Sequence, residues 1–342
     1  MKKEIENLTL RALIGVAAAL LIVAAMGLIT EAQMNRTFIE QASGLKGGEV
    51  VMTVDGEAVT AEEYLYMTAY AAQSLSYYGI TDLNTELGEG MMAADFVAQQ
   101  AKEQVIASAA LRAWAEEKDV QLSSEDRIAL HEQKEAYGGA AAFQQTLKMV
   151  GVTEELFDSL MTQEMLYNGL YEIYCGKDGA QRPSEADLEI LAGEHKLVSA
   201  YMLSVDAAAE GAKEKMEDYA ARLAEAENTA ELVAAFAEEL QCDGAVQTFD
   251  CCHSSPVNDA LMALEMNGVS AVVEADGGLH VLVRTALDLD TVAYVNFSEV
   301  YNHRISEAVV EEKSVLENID VAAFYAKYTQ LQQNAMAAMT QG

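Results

Sequence analysis

Proline is almost missing from this chain: two residues in 342, Pro183 and Pro256. With helix breakers so rare, and alanine, leucine, glutamate and methionine plentiful, the composition favours helix. Cysteine is scarce as well. Cys175, Cys242, Cys251 and Cys252 are too few in so long a chain for a disulfide scaffold, and they leave the redox compartment unread. Basic residues are the third shortage, 21 against 55 acidic ones, for a formal net charge of −34. A surface this negative repels phosphate backbones and anionic lipid, which argues against nucleic-acid binding and against lying flat on a membrane. Solubility accounts for most of the charge, and cationic or unfolded chains would be drawn towards it. Nor does the sequence hold a P-loop, a dinucleotide fingerprint, an H-E-x-x-H pair or a serine-nucleophile elbow.

Hydrophobic residues are not lacking. They make up 51% of the chain, enough for buried cores and against wholesale disorder. A length of 342 residues suggests two domains and an appendage. The appendage is N-terminal, where Ala12 to Ile29 carry no charge. At about 1.5 Å per residue such a helix spans roughly 27 Å, close to a bilayer's hydrocarbon core. Lys2, Lys3 and Arg11 precede it, so the positive-inside bias keeps that end cytoplasmic and sends the rest across. A cleaved signal peptide is the competing reading, with Thr30-Glu31-Ala32 as a poor small-x-small site and an apolar run longer than usual. No cysteine follows the segment closely, which excludes a lipoprotein anchor. Both readings put the body outside the cytoplasm.

Beyond a short stalk, Val50 to Val59 reads as a strand broken by the Asp55-Gly56 turn. Thr60 with Glu63 forms a capping box for a helix. Between Asp95 and Lys118, Val97, Ala101, Val105, Ala109 and Ala113 make one buried stripe at four-residue spacing. Ser123 and Thr153 are N-caps of further helices, and Gly176 to Pro183 is the best linker. Past it the pattern becomes mixed. Strands are predicted at Leu197–Val205, Gly244–Phe249, Val269–Glu274 and Leu279–Thr285. Helices fall at Ala209–Ala226, Thr229–Leu240 and from Pro256, whose ring suits a first helical turn. The order is β-α-α-β-α-β-β. From Phe297 the chain is helical again, with tyrosines and a glutamine-rich end.

Three pieces together resemble PrsA/SurA-type extracytoplasmic foldases, which carry a parvulin-type peptidyl-prolyl isomerase domain. The opening Val54-Asp55-Gly56-Glu57-Ala58-Val59-Thr60-x-x-Glu63 is similar to the start of the family's chaperone domain. Gly138-Gly139, Phe143, Leu147 and Gly151-Val152-Thr153-Glu154-Glu155-Leu156-Phe157 look like its helical portion. Asn267-Gly268-Val269-Ser270 and Gly278-Leu279-His280-Val281-Leu282-Val283 look like the last two parvulin strands. The resemblance implies an α+β protein with a transmembrane helix, a helical chaperone domain built from both ends of the chain, and a small parvulin-like domain. Its segments are a tail 1–11, an anchor 12–30, a stalk 31–48, a helical domain 49–176, a linker with a short helix 177–195, a parvulin-like domain 196–286 and a returning segment 287–342.

Twisting a prolyl amide costs its resonance, so a catalyst needs a dry apolar pocket and polar groups favouring the twisted form. Parvulins supply two histidines on adjacent strands, a cysteine or aspartate, and an aromatic floor. By that resemblance His280 stands at the terminal-strand histidine, Tyr201 replaces the other histidine, and Cys242 or Asp243 takes the third position. Pro256-Val257 stands where proline-phenylalanine is usual, so the floor loses a ring. Phe249, Val257 and Met262 would form the remaining apolar surface. Tyr201 could still hydrogen-bond His280 or Cys242.

Cys242, Cys251, Cys252 and His253 lie close in sequence. Adjacent cysteines fit one tetrahedral zinc poorly and no C-x-x-C spacing exists; a disulfide from Cys242 to Cys251 or Cys252 is the other reading. No cofactor or metal is expected. His131 and His195 are read as solvated. Three functions follow: a single-pass membrane chaperone binding unfolded, newly translocated polypeptides, an active prolyl isomerase, and a non-catalytic membrane scaffold.

Overall fold

The computed structural model describes residues 36–340, so the predicted tail and anchor lie outside the described residues. Among the described residues no helix is long and apolar enough to cross a membrane. In chain order the elements begin with α1 (Phe38–Ser43), β1 (Val50–Val54), β2 (Glu57–Thr60), α2 (Ala61–Ser76), β3 (Glu86–Gly88), β4 (Met91–Met92) and α3 (Ala93–Glu117). Next come α4 (Ser124–Glu135), α5 (Ala140–Val150), α6 (Glu154–Cys175), α7 (Glu185–Glu194), β5 (Leu197–Asp206), α8 (Ala212–Ala224) and α9 (Thr229–Leu240). The chain continues through β6 (Val246–Asp250), α10 (Pro256–Ala263), β7 (Val273–Ala275), β8 (Gly278–Arg284) and α11 (Leu289–Ser306). It closes with β9 (Val310–Glu312), α12 (Ser314–Glu317) and α13 (Val321–Thr340). They form two compact units, 36–170 with 302–340, and Tyr171–Tyr301.

The first unit joins the two ends of the chain. Asp55 and Gly56 both take positive φ, 51° and 88°, the tight turn that an Asp-Gly pair permits. The hairpin they close has β1 at its centre, flanked by β2 and, on its far edge, by β9. A strand at β9 corrects the reading of an all-helical C-terminal stretch. Three residues are too few to show a period, and the open edge of β1 supplies the pairing. Asp55 strengthens the seam, accepting the Val309 N–H at 2.8 Å while its own N–H donates to the Val309 carbonyl. Arg304 adds an ion pair to Glu117 at 2.6 Å.

On α3, Val97, Ala101, Val105 and Ala109 are fully buried, but the stripe then moves to Trp114 and Ala113 is only half-buried. A 3.6-residue turn drifts off strict four-residue spacing. Thr60 caps α2 by accepting the Glu63 N–H, yet the reciprocal half of the box is missing. The Glu63 carboxylate is turned instead to Arg112, with oxygens 2.8 and 3.2 Å from its two terminal nitrogens. Ser123 and Asp126 do form a complete capping box. Part of the predicted stalk is also corrected. Thr37 and Glu40 cap α1, and its Phe38 and Ile39 are buried in the main core with Leu147, Phe157 and Phe324. Each such side chain contributes about 1.5–3 kcal/mol on burial.

The second unit centres on one four-stranded antiparallel sheet, ordered β6-β5-β8-β7. The β-α-α-β-α-β-β order read from the sequence is present. Asp276 and Gly277, at φ 51° and 76°, make the β7–β8 turn. The strand predicted at Val269–Glu274 is shorter. Ser270 pairs with Leu282 partly through its own hydroxyl, so only Val273–Ala275 runs as a strand and Val269 keeps a single bridge to Val283. α8 and α9 cover one sheet face, where Tyr219 stacks on Phe236 at 3.9 Å between ring centres. α10 covers the other through Leu261. The predicted linker is tied down rather than loose: Arg182 bonds the Cys175 carbonyl and pairs with Asp290.

Candidate functional site

Register decides which side chains of β5 and β8 share a face. Tyr201 stands opposite Val283, Leu203 opposite Val281, Met202 opposite Leu282 and Ser204 opposite His280. Alternation therefore places Tyr201 on the side packed by α8 and α9, together with Leu203 and Val281. His280 and Ser204 lie on the opposite face with Met202 and Leu282.

The other residues from the sequence reading divide the same way. Cys242 joins the helix-side cluster around Leu203. Phe249 and Val257 pack on the His280 side, with Val198, Cys251 and Leu261. Met262, on α10, is 48% exposed. Asp243 is exposed and accepts the Ala245 N–H at 2.9 Å, closing the turn after α9. Phe249 and Val257 are thus brought together with His280's face, whereas Tyr201 and Cys242 are not. Tyr201 makes no hydrogen bond to His280, because the sheet lies between them.

His280 is instead a cross-strand tie. Its Nε2 is 3.1 Å from the Ala275 carbonyl and its Nδ1 is 2.8 Å from the Ser204 hydroxyl. A carbonyl only accepts, so Nε2 carries the proton, and in the neutral ring Nδ1 accepts from Ser204. The ring lies close over Gly278, where an added Cβ would stand 3.0 Å from it. Both nitrogens are committed to holding β7 and β5 to β8.

All four cysteines are free, so neither disulfide reading is realised. Cys242 and Cys251 sit on opposite faces of the sheet, which separates the pair. Burial pushes the Cys251 thiol up, and the Cys175 thiol up to about 12. Among the described residues no group of three or more His, Cys, Asp and Glu is placed to hold a metal. His195 is partly buried and lies 3.3 Å from the Glu299 carboxylate; His131 is exposed.

A second candidate lies in the first unit, between α2 and α13. It is a cleft of about 310 Å³ walled by Tyr66, Tyr70, Tyr325 and Tyr328. Gln73, Gln332 and Gln333 add amides, and Met336 stands at its rim, 38% exposed. On α2, Tyr66, Tyr70 and Gln73 follow at steps of four and three residues, one helical face. Tyr328 is fixed from both sides. Its hydroxyl donates to the Val150 carbonyl at 2.7 Å, an orphan acceptor at the end of α5, and accepts from the Gln332 amide at 2.9 Å. Burial, then neighbouring phenols, raises Tyr66 and Tyr328 far above the usual tyrosine range. Tyr70 and Tyr325 are raised by burial too, so all four rings are neutral. The C-terminal tyrosines and glutamines are visible in the sequence, but nothing in it joins them to Tyr66 and Tyr70 beyond the helical spacing of those two.

No protein-family model matches the chain, and no curated protein matches it. Among solved structures it is similar to the foldase protein PrsA from Streptococcus pneumoniae, at 16% identity and a TM-score of 0.29, over 74% of this chain and 93% of that one. PrsA from Bacillus subtilis is similar at 16% identity and a TM-score of 0.30, over 74% and 91%. The peptidylprolyl isomerase PrsA from Bacillus anthracis is similar at 14% identity and a TM-score of 0.26, over 68% and 96%.

Proposed function

We propose that this chain is a membrane-anchored extracytoplasmic folding factor that binds unfolded secreted segments, and that its parvulin-like domain has lost its catalytic arrangement. Support for the folding-factor part comes from the ordered three-part resemblance behind an apolar N-terminal segment. The observation that carries the loss of catalysis is the committed state of His280, with Tyr201 and Cys242 on the far side of the sheet. A twisted prolyl amide needs polar groups that converge on it in a dry pocket. A ring whose two nitrogens staple strands has none to offer without breaking a bond. The acidic surface keeps such a protein soluble while it holds an aggregation-prone chain.

Two assays test the reading. At equimolar dose the protein should suppress the aggregation of a diluted, unfolded model polypeptide; no suppression removes the chaperone reading. In a protease-coupled assay on a proline peptide the rate should equal that in buffer. Acceleration abolished by His280→Ala would replace the reading by a working isomerase, which the place of His280 on the last strand of the β-α-α-β-α-β-β succession favours.

A further inference from the structure

We propose that the cleft between α2 and α13 is a peptide-binding site for an extended, uncharged segment that inserts one aromatic side chain among the four tyrosines. This deepens the chaperone reading and rests on it for biological meaning, though the site itself can be tested alone. Three observations carry it.

The first is charge. In a chain that is 22% charged and strongly acidic, none of the described residues lining this cleft is charged. A carboxylate or ammonium entering it would lose water and find no partner. The second is size. A volume of about 310 Å³ stands at the lower end of ligand pockets, right for one or two side chains and too small for a folded element. The third is chemistry. Neutral tyrosine rings favour edge-on or offset contact with another ring, and Met336 adds a polarisable thioether. Gln73 and Gln333, both exposed at the mouth, carry the donors and acceptors that a peptide backbone needs. The apolar surface continues past the cleft. Tyr77 follows Gln73 by one helical turn, is 82% exposed, and lies near enough to Tyr70 to raise its phenol further. Outside the cleft the acidic surface would draw in a segment with lysines at its ends.

The test uses the full chain in lipid nanodiscs, with empty discs as the blank. The probe is a fluorescent octapeptide, Lys-Gly-Ala-Phe-Leu-Ala-Gly-Lys, followed by anisotropy. A control peptide has serine in place of phenylalanine and leucine. The wild type should bind the first and not the second. Tyr70→Ala should weaken binding about tenfold or more, as expected when a central aromatic contact is lost. Gln73→Glu, which adds charge at an exposed helical position without removing packing, should weaken it too. Ile190→Ser, at an exposed position of the other unit, should leave it unchanged. Equal binding by wild type, Tyr70→Ala and Gln73→Glu overturns the site even where aggregation is suppressed. Binding lost with these variants, in a protein that suppresses no aggregation, upholds the site and removes only the chaperone reading. Competition by rising protein concentration, with a dimer in ultracentrifugation, would give the cleft to a second copy and overturn the peptide proposal.

Discussion

His280 Nδ1 lies 2.8 Å from the Ser204 hydroxyl, its direct cross-strand neighbour, while Tyr201 falls on the other side of the sheet. The imidazole is therefore part of the sheet's structure. Ser204→Ala should shift the His280 ring nitrogen resonance in NMR by removing the partner of Nδ1, and cost about 0.5–1.5 kcal/mol, the net worth of one hydrogen bond. Tyr201→Phe should leave that resonance where it is. An equal shift from both variants would contradict the two-faced arrangement.

The single tryptophan, Trp114, is buried in the first unit, so its fluorescence reports unfolding of that unit. By this readout Tyr328→Phe should cost about 1–3 kcal/mol, because the Val150 carbonyl then stays buried without its donor. An unchanged urea midpoint would mean that another group satisfies the carbonyl.

Gly151 ends α5 at φ 84°, and an added Cβ would stand 2.9 Å from the Phe38 Cβ and 3.1 Å from its backbone nitrogen. Left-handed backbone alone costs an L-residue about 1–2 kcal/mol, and backbone crowding adds to it. Gly151→Ala should therefore lower the Trp114 midpoint by more than Gly48→Ala, whose Cβ would meet nothing. Equal losses would show that α1 does not pack there.

Arg112 is flanked by Glu63 at 2.8 Å and Glu57 at 3.0 Å, and the Glu63 side chain is only 6% exposed. Arg112→Met should cost about 3–5 kcal/mol by leaving that carboxylate buried and unpaired. Adding Glu63→Met should recover most of the loss. A double variant no better than the single one would mean that the arginine acts by packing alone.

Burial raises the Glu62 carboxyl above the usual range, against two lowering hydrogen bonds from Thr153, and nearby Glu40 and Glu155 raise it further. A raised folded-state pKa means that the folded protein binds this proton more readily than the unfolded chain. The group's contribution is then least favourable at neutral pH and improves as pH falls through the folded value. Glu62→Gln can keep both bonds, donating its amide to the Thr153 hydroxyl. Compared with wild type it should be as stable or more so at pH 7.5, and the difference should shrink on acidification. A difference independent of pH would show that Glu62 is ionised alike in both states.

Much of the local structure was legible because its causes are local. Asp-Gly pairs adopt tight turns, Ser123 and Thr153 cap helices, and the helix predicted over Thr229–Leu240 has both ends where the structure places them. β9 was not legible, since three residues become a strand only when β1 offers an edge. The burial of Phe38 and Ile39 is likewise illegible in the sequence, because six helical residues carry too little pattern to declare a buried face.

By itself the amino-acid order determined the β-α-α-β-α-β-β succession and the place of the hairpin turns, which follow from spacing and backbone preference. Only the tertiary structure decided that Ser204, not Tyr201, meets His280, and that tyrosines more than 250 residues apart wall one cleft. Strand register and helix pairing are set by contacts between distant segments. Side-chain periodicity within a segment carries no record of which neighbour it will face.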